Sequence, residues 1–319
     1  MLSNNQRLKE WLRKGETFRL SLLVSLSLAA RFGTHAGWQS KLRASQPVRI
    51  AQMADEWNSY DTAAESHDRL AVPSYFDQPA KDLVADIGVG SAARVLDIGT
   101  GSGIAAQRAM ECASPQTKVV GIDPSLEMLR VARKRGVPLM AVAMTPGLPF
   151  RDCAFDRVLA GFVLSHVASY EAVLRDITRV LAPGGRFGGT AWGSIEIEYR
   201  AFWQTLAESF VDKGMLAEAE KRALPWEEWF TDPDHLADAF RAAGLRDVGV
   251  RRVVYTIPMK IADFLAIRDG SLQARFMRHN LPAEEWLRFK ETLQSEFHRR
   301  FSNPIDHLRD AFIAIGTRS

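Results

Sequence analysis

Two acidic residues and a run of glycines are spaced so that they could bind a nucleoside. Asp97 follows the apolar pair Val95-Leu96 and precedes glycines at positions 99, 101 and 103. Asp123 ends a second apolar stretch, which lies further along the chain. Glycine lacks a Cβ atom, so the backbone can turn tightly and a ligand can approach it closely. A carboxylate such as that of Asp123 can accept strong hydrogen bonds from both hydroxyls of an unphosphorylated ribose.

Alternating strands and helices would position these residues. The apolar pair before Asp97 predicts a buried parallel strand, and Ile104–Cys112 predicts the helix that follows the glycines. Residues 118–122 then predict a second strand. Residues 124–135 predict a second helix, with proline in its first turn and Gly136 after its end. The first helix would offer free N–H groups and a partial positive charge to a ligand.

This layout resembles the S-adenosylmethionine (SAM) site of the class I, Rossmann-like methyltransferases. Two further stretches carry the resemblance, Leu148-Pro149-Phe150 followed by Phe155-Asp156-Arg157-Val158, and the Leu-x-Pro-Gly-Gly-x-Phe sequence at 181–187. They are similar to the small-molecule branch that includes quinone-biosynthesis and natural-product methyltransferases, over residues of about 55–258 and 312–317. The resemblance implies an enzyme that moves a methyl group from SAM to an O, N or C nucleophile of a small molecule by in-line displacement.

Two other functions compete with this interpretation. A dinucleotide site requires a third glycine at the sixth position of its motif, and that position holds Ile104. An NAD-dependent oxidoreductase is therefore the weaker alternative. A relative that binds SAM without catalysis is the other alternative.

The resemblance also implies the cofactor-binding residues. Asp97 would meet the ammonium group of the methionine part, and Asp123 the ribose. Met144 stands where the family usually has an acid that binds the adenine amine, so we expect Met144 to pack on the ring instead. The full expected set is Asp97, Gly99, Thr100, Gly101, Gly103, Asp123, Pro124, Met128, Met144, Thr145 and Phe162.

The catalytic candidate lies in residues 158–167, which predict the fourth strand and the loop beyond it. His166 is the best candidate for a general base because imidazole titrates near neutral pH. A histidine that caps the next helix or bonds to the backbone is an equal alternative. Trp57 and Tyr60 could line the cofactor pocket, although packing into the core is the favoured role for each.

The implied fold is α/β: a doubly wound, mostly parallel seven-stranded sheet with helices on both faces and a helical cap from C-terminal insertions. Residues 248–257 predict a late strand, and residues 312–317 predict an antiparallel edge strand. Aromatic-rich helical insertions at about 196–230 and 259–308 are expected to cap the acceptor pocket, with a dimer contact as the alternative. Residues 53–319 would form this domain. We expect a small-molecule acceptor, no nucleic acid partner and a monomer or homodimer.

Charge separates the first part of the chain from the rest. Residues 1–52 hold nine Lys or Arg against two Glu, whereas residues 53–319 hold 32 basic against 36 acidic residues. The mildly acidic body does not predict a nucleic-acid surface. We expect residues 1–52 to be a dispensable or poorly ordered leader, with an organelle transit peptide second and a secretion signal last. A start at Met53 would make the preceding residues spurious.

The remaining composition is that of a reduced, soluble protein. Two cysteines, Cys112 and Cys153, provide no disulfide framework, and no HExxH or CxxC spacing occurs, so we expect no metal. The apolar run at residues 18–32 is too short and too interrupted to span a membrane. We expect a cytoplasmic protein, or a mitochondrial or plastid one if residues 1–52 are a transit peptide.

Overall fold

A computed structural model of the chain describes residues 57–319. The expectations for residues 1–52 lie outside this range. The strands are β1 (Arg94–Ile98), β2 (Lys118–Asp123), β3 (Leu139–Val142), β4 (Phe155–Gly161), β5 (Leu181–Trp192), β6 (Leu245–Met259) and β7 (Ile305–Arg318). The α-helices are α1 (Ala64–Ser66), α2 (Asp77–Ile87), α3 (Ile104–Cys112), α4 (Leu126–Lys134), α5 (Tyr170–Val180), α6 (Glu198–Glu208), α7 (Lys213–Ala223), α8 (Pro233–Ala242), α9 (Ile261–Asp269), α10 (Leu272–Asn280) and α11 (Ala283–Arg300). A π-helix (His67–Phe76) joins α1 to α2, and short 3₁₀ turns lie at Leu164–His166 and Trp229–Thr231.

The seven strands form one sheet in the order β3-β2-β1-β4-β5-β7-β6. Neighbours among β1 to β5 pair in parallel, and β7 runs antiparallel to both β5 and β6. The predicted seven-stranded, mostly parallel sheet is therefore confirmed. The predicted edge position of the last strand is wrong, because β7 lies between β5 and β6. Its continuous buried run Ala311–Ala314 is typical of a strand covered on both faces.

Helices cover both faces of the sheet, as predicted for a doubly wound fold. On one face, Leu96, Ile122 and Val158 join α5 and α8 in a buried core. On the other face, Val95 and Val119 pack against α2, α3 and α4. Successive residues of β1 thus enter different cores, as the two-residue period of a strand requires.

Several predicted element bounds need correction. Within the predicted strand and loop at 158–167, β4 ends at Gly161, because the next residue turns the chain with a positive φ of 58°. α4 begins at Leu126 rather than Pro124, since the Ser125 side chain accepts a hydrogen bond from the Met128 N–H and caps the helix. β6 and β7 extend beyond the predicted ranges 248–257 and 312–317 at both ends.

The C-terminal insertions form a layer beside the sheet, which we call the cap: residues 198–223 (α6, α7) and 261–300 (α9 to α11). Its core contains Trp203 from α6, Phe264 from α9 and Phe289 from α11. Ala71 and Tyr75 of the π-helix join the same core, a contribution that the sequence did not predict. The insertions begin where β5 and β6 end, and the second one ends where β7 begins, so the cap grows from the carboxyl edge of the parallel strands. Within residues 57–319, no helix combines the length and apolar character that crossing a membrane requires.

Candidate functional site

The glycine loop lies at the carboxyl edge of β1 and β2 and is tied to both strands. The Thr100 backbone N–H donates to the carbonyl oxygen of Ile122 at 2.9 Å. The Thr100 hydroxyl donates to Asp97 Oδ2 at 2.6 Å. Asp123 Oδ2 accepts from the Gly101 N–H at 2.9 Å, and its Oδ1 accepts from the Ser125 N–H at 2.8 Å. The structure thus brings the two predicted carboxylates together around one loop, at adjacent strand ends.

Both carboxylates are buried without a cationic partner. Asp97 is 1% exposed and Asp123 8% exposed. Among residues 57–319, neither forms an ion pair within 4.0 Å. Burial raises the pKa of Asp97 to about 7, against the opposing hydrogen bond from Thr100, and the charge of Asp123 adds to the rise. Burial likewise raises the pKa of Asp123 to about 6, with a further contribution from Asp61. Buried carboxylates of this kind favour a cationic or hydroxyl-bearing ligand, which would supply the missing compensation.

The loop glycines serve different purposes. A Cβ atom on Gly99 would lie 2.6 Å from Val163 Cγ2, and one on Gly103 would lie 2.8 Å from Val137 Cγ2. Side chains of the protein itself fill the space beside these two glycines. Gly101 has a φ of +54°, and its nearest contact would be the Gly99 carbonyl oxygen at 4.0 Å. The space above Gly101, beside Asp123, is open to a ligand.

The other predicted cofactor residues divide into buried and accessible groups. Pro124 is exposed directly after Asp123, whereas Met128 is 3% exposed and packs with Ala64 and Val131. Met128 is therefore a core residue that supports the segment after Asp123 through packing. Met144, at 48% exposure, lies in the loop after β3. Its neighbour Thr145 has a buried hydroxyl with no hydrogen-bond partner in the described chain.

An ion pair on α5 holds the segment that follows Met144. Asp176 accepts hydrogen bonds from the backbone N–H groups of Gly147 and Leu148, at 2.7 and 2.6 Å. Arg179 pairs with Asp176 at 2.6 Å and donates to the Leu148 and Phe150 carbonyls. The Leu-Pro-Phe motif is thus fixed by side chains from a distant helix.

Phe162 occupies a strained position at the end of β4. A φ of +58° is uncommon for a bulky residue and is retained only when its surroundings hold it. The Phe162 N–H donates to the Thr190 hydroxyl at 2.9 Å, and the Phe162 ring stacks on Trp192 with centroids 3.9 Å apart. Phe162 directly follows β4, so it lies at the carboxyl edge of the parallel strands, as the glycine loop does.

His166 lies in the 3₁₀ turn beyond β4 and is surrounded by groups that the sequence reasoning did not connect. Its ring contacts Tyr60 edge-on, with centroids 5.8 Å apart. Tyr60 in turn contacts His67 at 6.2 Å and lies under the Arg275 guanidinium at 5.0 Å. Tyr60 is therefore placed beside the catalytic candidate. Trp57 instead packs against Phe276 of the cap, with centroids 5.1 Å apart.

Two observations bear on the protonation of His166. The side chain is exposed to solvent. Desolvation by the surrounding groups nevertheless lowers its pKa, and the charges of Arg275 and His67 act in the same direction. A lowered pKa keeps the ring neutral at pH 7, so it can accept a proton, and its role as a general base stays a prediction. His67 is also neutral, because burial lowers its pKa to about 4, and its Nδ1 atom has no partner among the described residues.

Chemically, the site combines two parts. The loop side offers two buried carboxylates, open space above Gly101 and the unpartnered hydroxyls of Ser102 and Thr145, which together fit an aminoacyl-linked nucleoside such as SAM. The cap side offers aromatic rings and neutral imidazoles. Within residues 57–319, no group of three or more His, Cys, Asp or Glu side chains is arranged to hold a metal ion.

Comparisons with known proteins identify the family that this chain resembles. Residues 96–188 match the family described as "Methyltransferase domain". A demethylmenaquinone methyltransferase from Geobacillus stearothermophilus is 30% identical over 196 residues, which cover 56% of this chain and 81% of the relative. An uncharacterised 37.1 kDa protein in transposon TN4556 of Streptomyces fradiae is 35% identical over 133 residues, 38% of this chain and 39% of that relative. The chain thus spans well under half the length of the transposon protein.

A solved structure shares the fold. The phosphoethanolamine N-methyltransferase 2 of Haemonchus contortus, determined with phosphomonomethylethanolamine and S-adenosylhomocysteine, superimposes with a TM-score of 0.50 at 14% identity. The match covers 85% of this chain and 61% of that one. The fold and site define a class of nucleoside-binding α/β proteins. The chain belongs to the class I SAM-dependent methyltransferases, and SAM is the cofactor of that family.

Proposed function

We propose that this chain binds SAM at the glycine loop and transfers its methyl group to a small molecule held under the cap. The observation that carries the proposal is the pair of buried carboxylates, Asp97 and Asp123, at adjacent strand ends, neither of which forms an ion pair with any residue in 57–319. In this arrangement Asp97 binds the ammonium group and Asp123 the ribose hydroxyls. The open space above Gly101 admits the ligand close to the backbone.

The proposed roles of the other residues follow from their positions. Met144 and Thr145 flank the adenine side, with Met144 on the ring face. Phe162 separates the cofactor side from the cap. Gly99, Gly103 and Met128 act indirectly, because packing contacts with the protein fix them. Thr100 orients Asp97 through its 2.6 Å hydrogen bond.

Catalysis requires alignment more than covalent chemistry. When bound, SAM supplies a methyl group already activated by its sulfonium. The chain's contribution is to hold the acceptor in line with it, and positioning of this kind is worth about 7–11 kcal/mol. The neutral His166 ring accepts a proton from a hydroxyl or amine acceptor, and Tyr60 holds that ring in place. The lowered pKa of His166 makes it a weaker base than a free imidazole, which favours proton transfer together with methyl transfer.

The acceptor is proposed to be a small molecule rather than a nucleic acid, because residues 53–319 carry more acidic than basic side chains. A cytoplasmic location and a monomer or homodimer remain the expected setting. An organelle location would follow if residues 1–52 act as a transit peptide.

Calorimetry tests the ligand, and a transfer assay tests the reaction. We expect S-adenosylhomocysteine to bind and NADH not to bind, and we expect Asp123→Ala to weaken S-adenosylhomocysteine binding at least tenfold. Incubation with labelled SAM and mixed phenols, amines and carboxylic acids should then yield a labelled small molecule, at a lower rate in His166→Ala. Binding of NADH alone would overturn the proposal. Binding of S-adenosylhomocysteine without transfer to any small molecule would favour the non-catalytic alternative.

A further inference from the structure

Two arginines lie where β7 packs against the cap, and the methyl-transfer site does not use them. Arg309 lies on β7 and Arg268 on α9. Both are half-buried, and Tyr75 and His307 beside them are 6% and 2% exposed. We call these four residues the arginine pocket.

Aromatic faces, rather than carboxylates, surround the two guanidinium groups. Arg309 lies over the Trp192 ring at 3.6 Å and over the Tyr75 ring at 4.9 Å. Arg268 lies over the Trp203 ring at 4.0 Å and donates one hydrogen bond, to Gln273 Oε1 at 2.7 Å. Within residues 57–319, the Arg309 guanidinium donates no hydrogen bond to any side chain or carbonyl. Neither arginine forms an ion pair within 4.0 Å in the same range.

The carboxylates near the two guanidinium groups do not form ion pairs with them. Arg200 acts on both guanidinium groups, Glu220 acts on Arg268, and Glu227 and Asp310 act on Arg309. Asp310 pairs instead with Arg252, at 2.7 Å. Among residues 57–319, neither Glu220 nor Glu227 forms an ion pair with Arg268 or Arg309. Burial and the repulsion of Arg200 lower the pKa of Arg268 and of Arg309 to about 10, so both remain charged at neutral pH. Charges held in this way require an anion to compensate them.

Unpartnered polar atoms provide an independent observation. Tyr75 Oη, His307 Nδ1 and Arg268 Nε are all buried and lack a hydrogen-bond partner among the described residues. The Tyr75 and His307 rings lie 5.3 Å apart. Buried polar groups in native proteins are nearly always satisfied, so several orphans in one place indicate a missing ligand.

The arginine pocket is continuous with the proposed methyl-transfer site. The Arg309 guanidinium lies over one face of the Trp192 ring. The Phe162 ring is stacked on Trp192 with centroids 3.9 Å apart, so it occupies the opposite face. Phe76 contacts Phe162 at 5.5 Å and also contacts His67 at 5.0 Å. A single row of aromatic rings therefore connects the arginines to the imidazoles.

We propose that the methyl acceptor is an organic anion, and that the arginine pocket binds its carboxylate or phosphate group while its apolar body lies along the aromatic row. The inference rests on the proposed methyl transfer and specifies the acceptor class. Arginine suits this task because its planar group can donate two parallel hydrogen bonds to an oxyanion.

The test compares matched anionic and neutral probes on the intact chain saturated with S-adenosylhomocysteine. Benzoate is paired with benzamide, and benzyl phosphate with benzyl alcohol, in calorimetric titrations at low salt. We expect one anion of the two pairs to bind at least tenfold more tightly than its neutral counterpart, and the pair that does so identifies carboxylate or phosphate. Equal affinities within both pairs would overturn the inference.

Variants locate the binding site. Arg309→Gln and Arg268→Gln should each weaken the preferred anion about tenfold or more, since a lost hydrogen bond to a charged group has that effect. Arg309→Lys keeps the charge but not the paired hydrogen bonds, so it should weaken the anion less than Arg309→Gln does. Arg246→Gln, an exposed control at the start of β6, should bind the anion as the wild type does.

Two outcomes separate this inference from the proposed function. Retained S-adenosylhomocysteine binding with unchanged anion affinity in Arg309→Gln would refute the arginine pocket alone. Failure of the wild-type chain to bind S-adenosylhomocysteine would refute the proposed function itself. If Arg309→Gln fails to fold, the wild-type probe pairs and Arg309→Lys still decide the question.

Discussion

Cofactor affinity should depend strongly on pH because the two carboxylates at the glycine loop are partly protonated in the free protein. The pKa of Asp97 is raised to about 7 and that of Asp123 to about 6. An ammonium group binds only the ionised form of Asp97. The raised pKa values of Asp97 and Asp123 favour their neutral forms near neutral pH. The affinity for the cofactor is therefore full above pH 8 and is lost as the pH falls through 7, where Asp97 is protonated, and then 6, where Asp123 is protonated.

The size of the effect follows from the two pKa values. Between pH 8 and pH 6, protonation of Asp97 should raise the Kd for S-adenosylhomocysteine about tenfold, and protonation of Asp123 should add about a factor of two. At pH 7, binding should release about half a proton from Asp97. Calorimetry in phosphate and in Tris measures both quantities, because these buffers have different ionisation enthalpies.

Two controls assign the effect to the right residue. Adenosine lacks the ammonium group, so its Kd should change only about twofold over the same range, through Asp123. Asp97→Asn should bind S-adenosylhomocysteine weakly, with only that twofold dependence. A Kd that is constant between pH 8 and pH 6, with no proton release, would refute the electrostatic reasoning for the wild-type site.

Three further predictions concern stability and the loop. Asp97→Asn should stabilise the unliganded protein by about 2–4 kcal/mol at pH 8, because an ionised carboxylate is costly there; thermal unfolding without ligand measures this, and a lower Tm would contradict it. Gly101→Ala and Gly147→Ala both have positive φ, so each should cost about 1 kcal/mol in urea unfolding, yet only Gly101→Ala should weaken S-adenosylhomocysteine binding at least tenfold. Equal affinity in the two variants would show that the space above Gly101 is not the cofactor site. Thr190→Val should lower the unfolding free energy by about 1 kcal/mol, because it removes the side-chain hydrogen bond to the Phe162 N–H; unchanged stability would mean that the remaining bond to the Thr190 carbonyl and stacking on Trp192 are sufficient.

The sequence predicted what local patterns determine. Asp97 and Asp123 each follow a short apolar strand, and the carboxyl ends of neighbouring parallel strands must share an edge, so their proximity was predictable. The two-faced sheet followed from the alternation of strands and helices. Element bounds were less predictable, because Ser125 caps α4 and Phe162 ends β4 through contacts that no periodicity reveals.

Long-range contacts set what could not be predicted. The position of β7 between β5 and β6 depends on pairings between distant parts of the chain. The pKa of His166 is lowered by desolvation and then by the charge of Arg275, which a cap helix far along the sequence brings close. His67 showed no signal at all, because its neighbours place it beside Tyr60 only after folding.

The central place of β7 also affects how the chain reaches its native state. Residues 305–318 join β5 to β6, so the sheet is discontinuous until β7 has been synthesised and has left the ribosome. Pairings over such a separation close large loops and are slow to form. β6, most of whose side chains face solvent, therefore stays unpaired until β7 has been synthesised. Nascent chains that stop before residue 305 would present two open strand edges to chaperones or to each other.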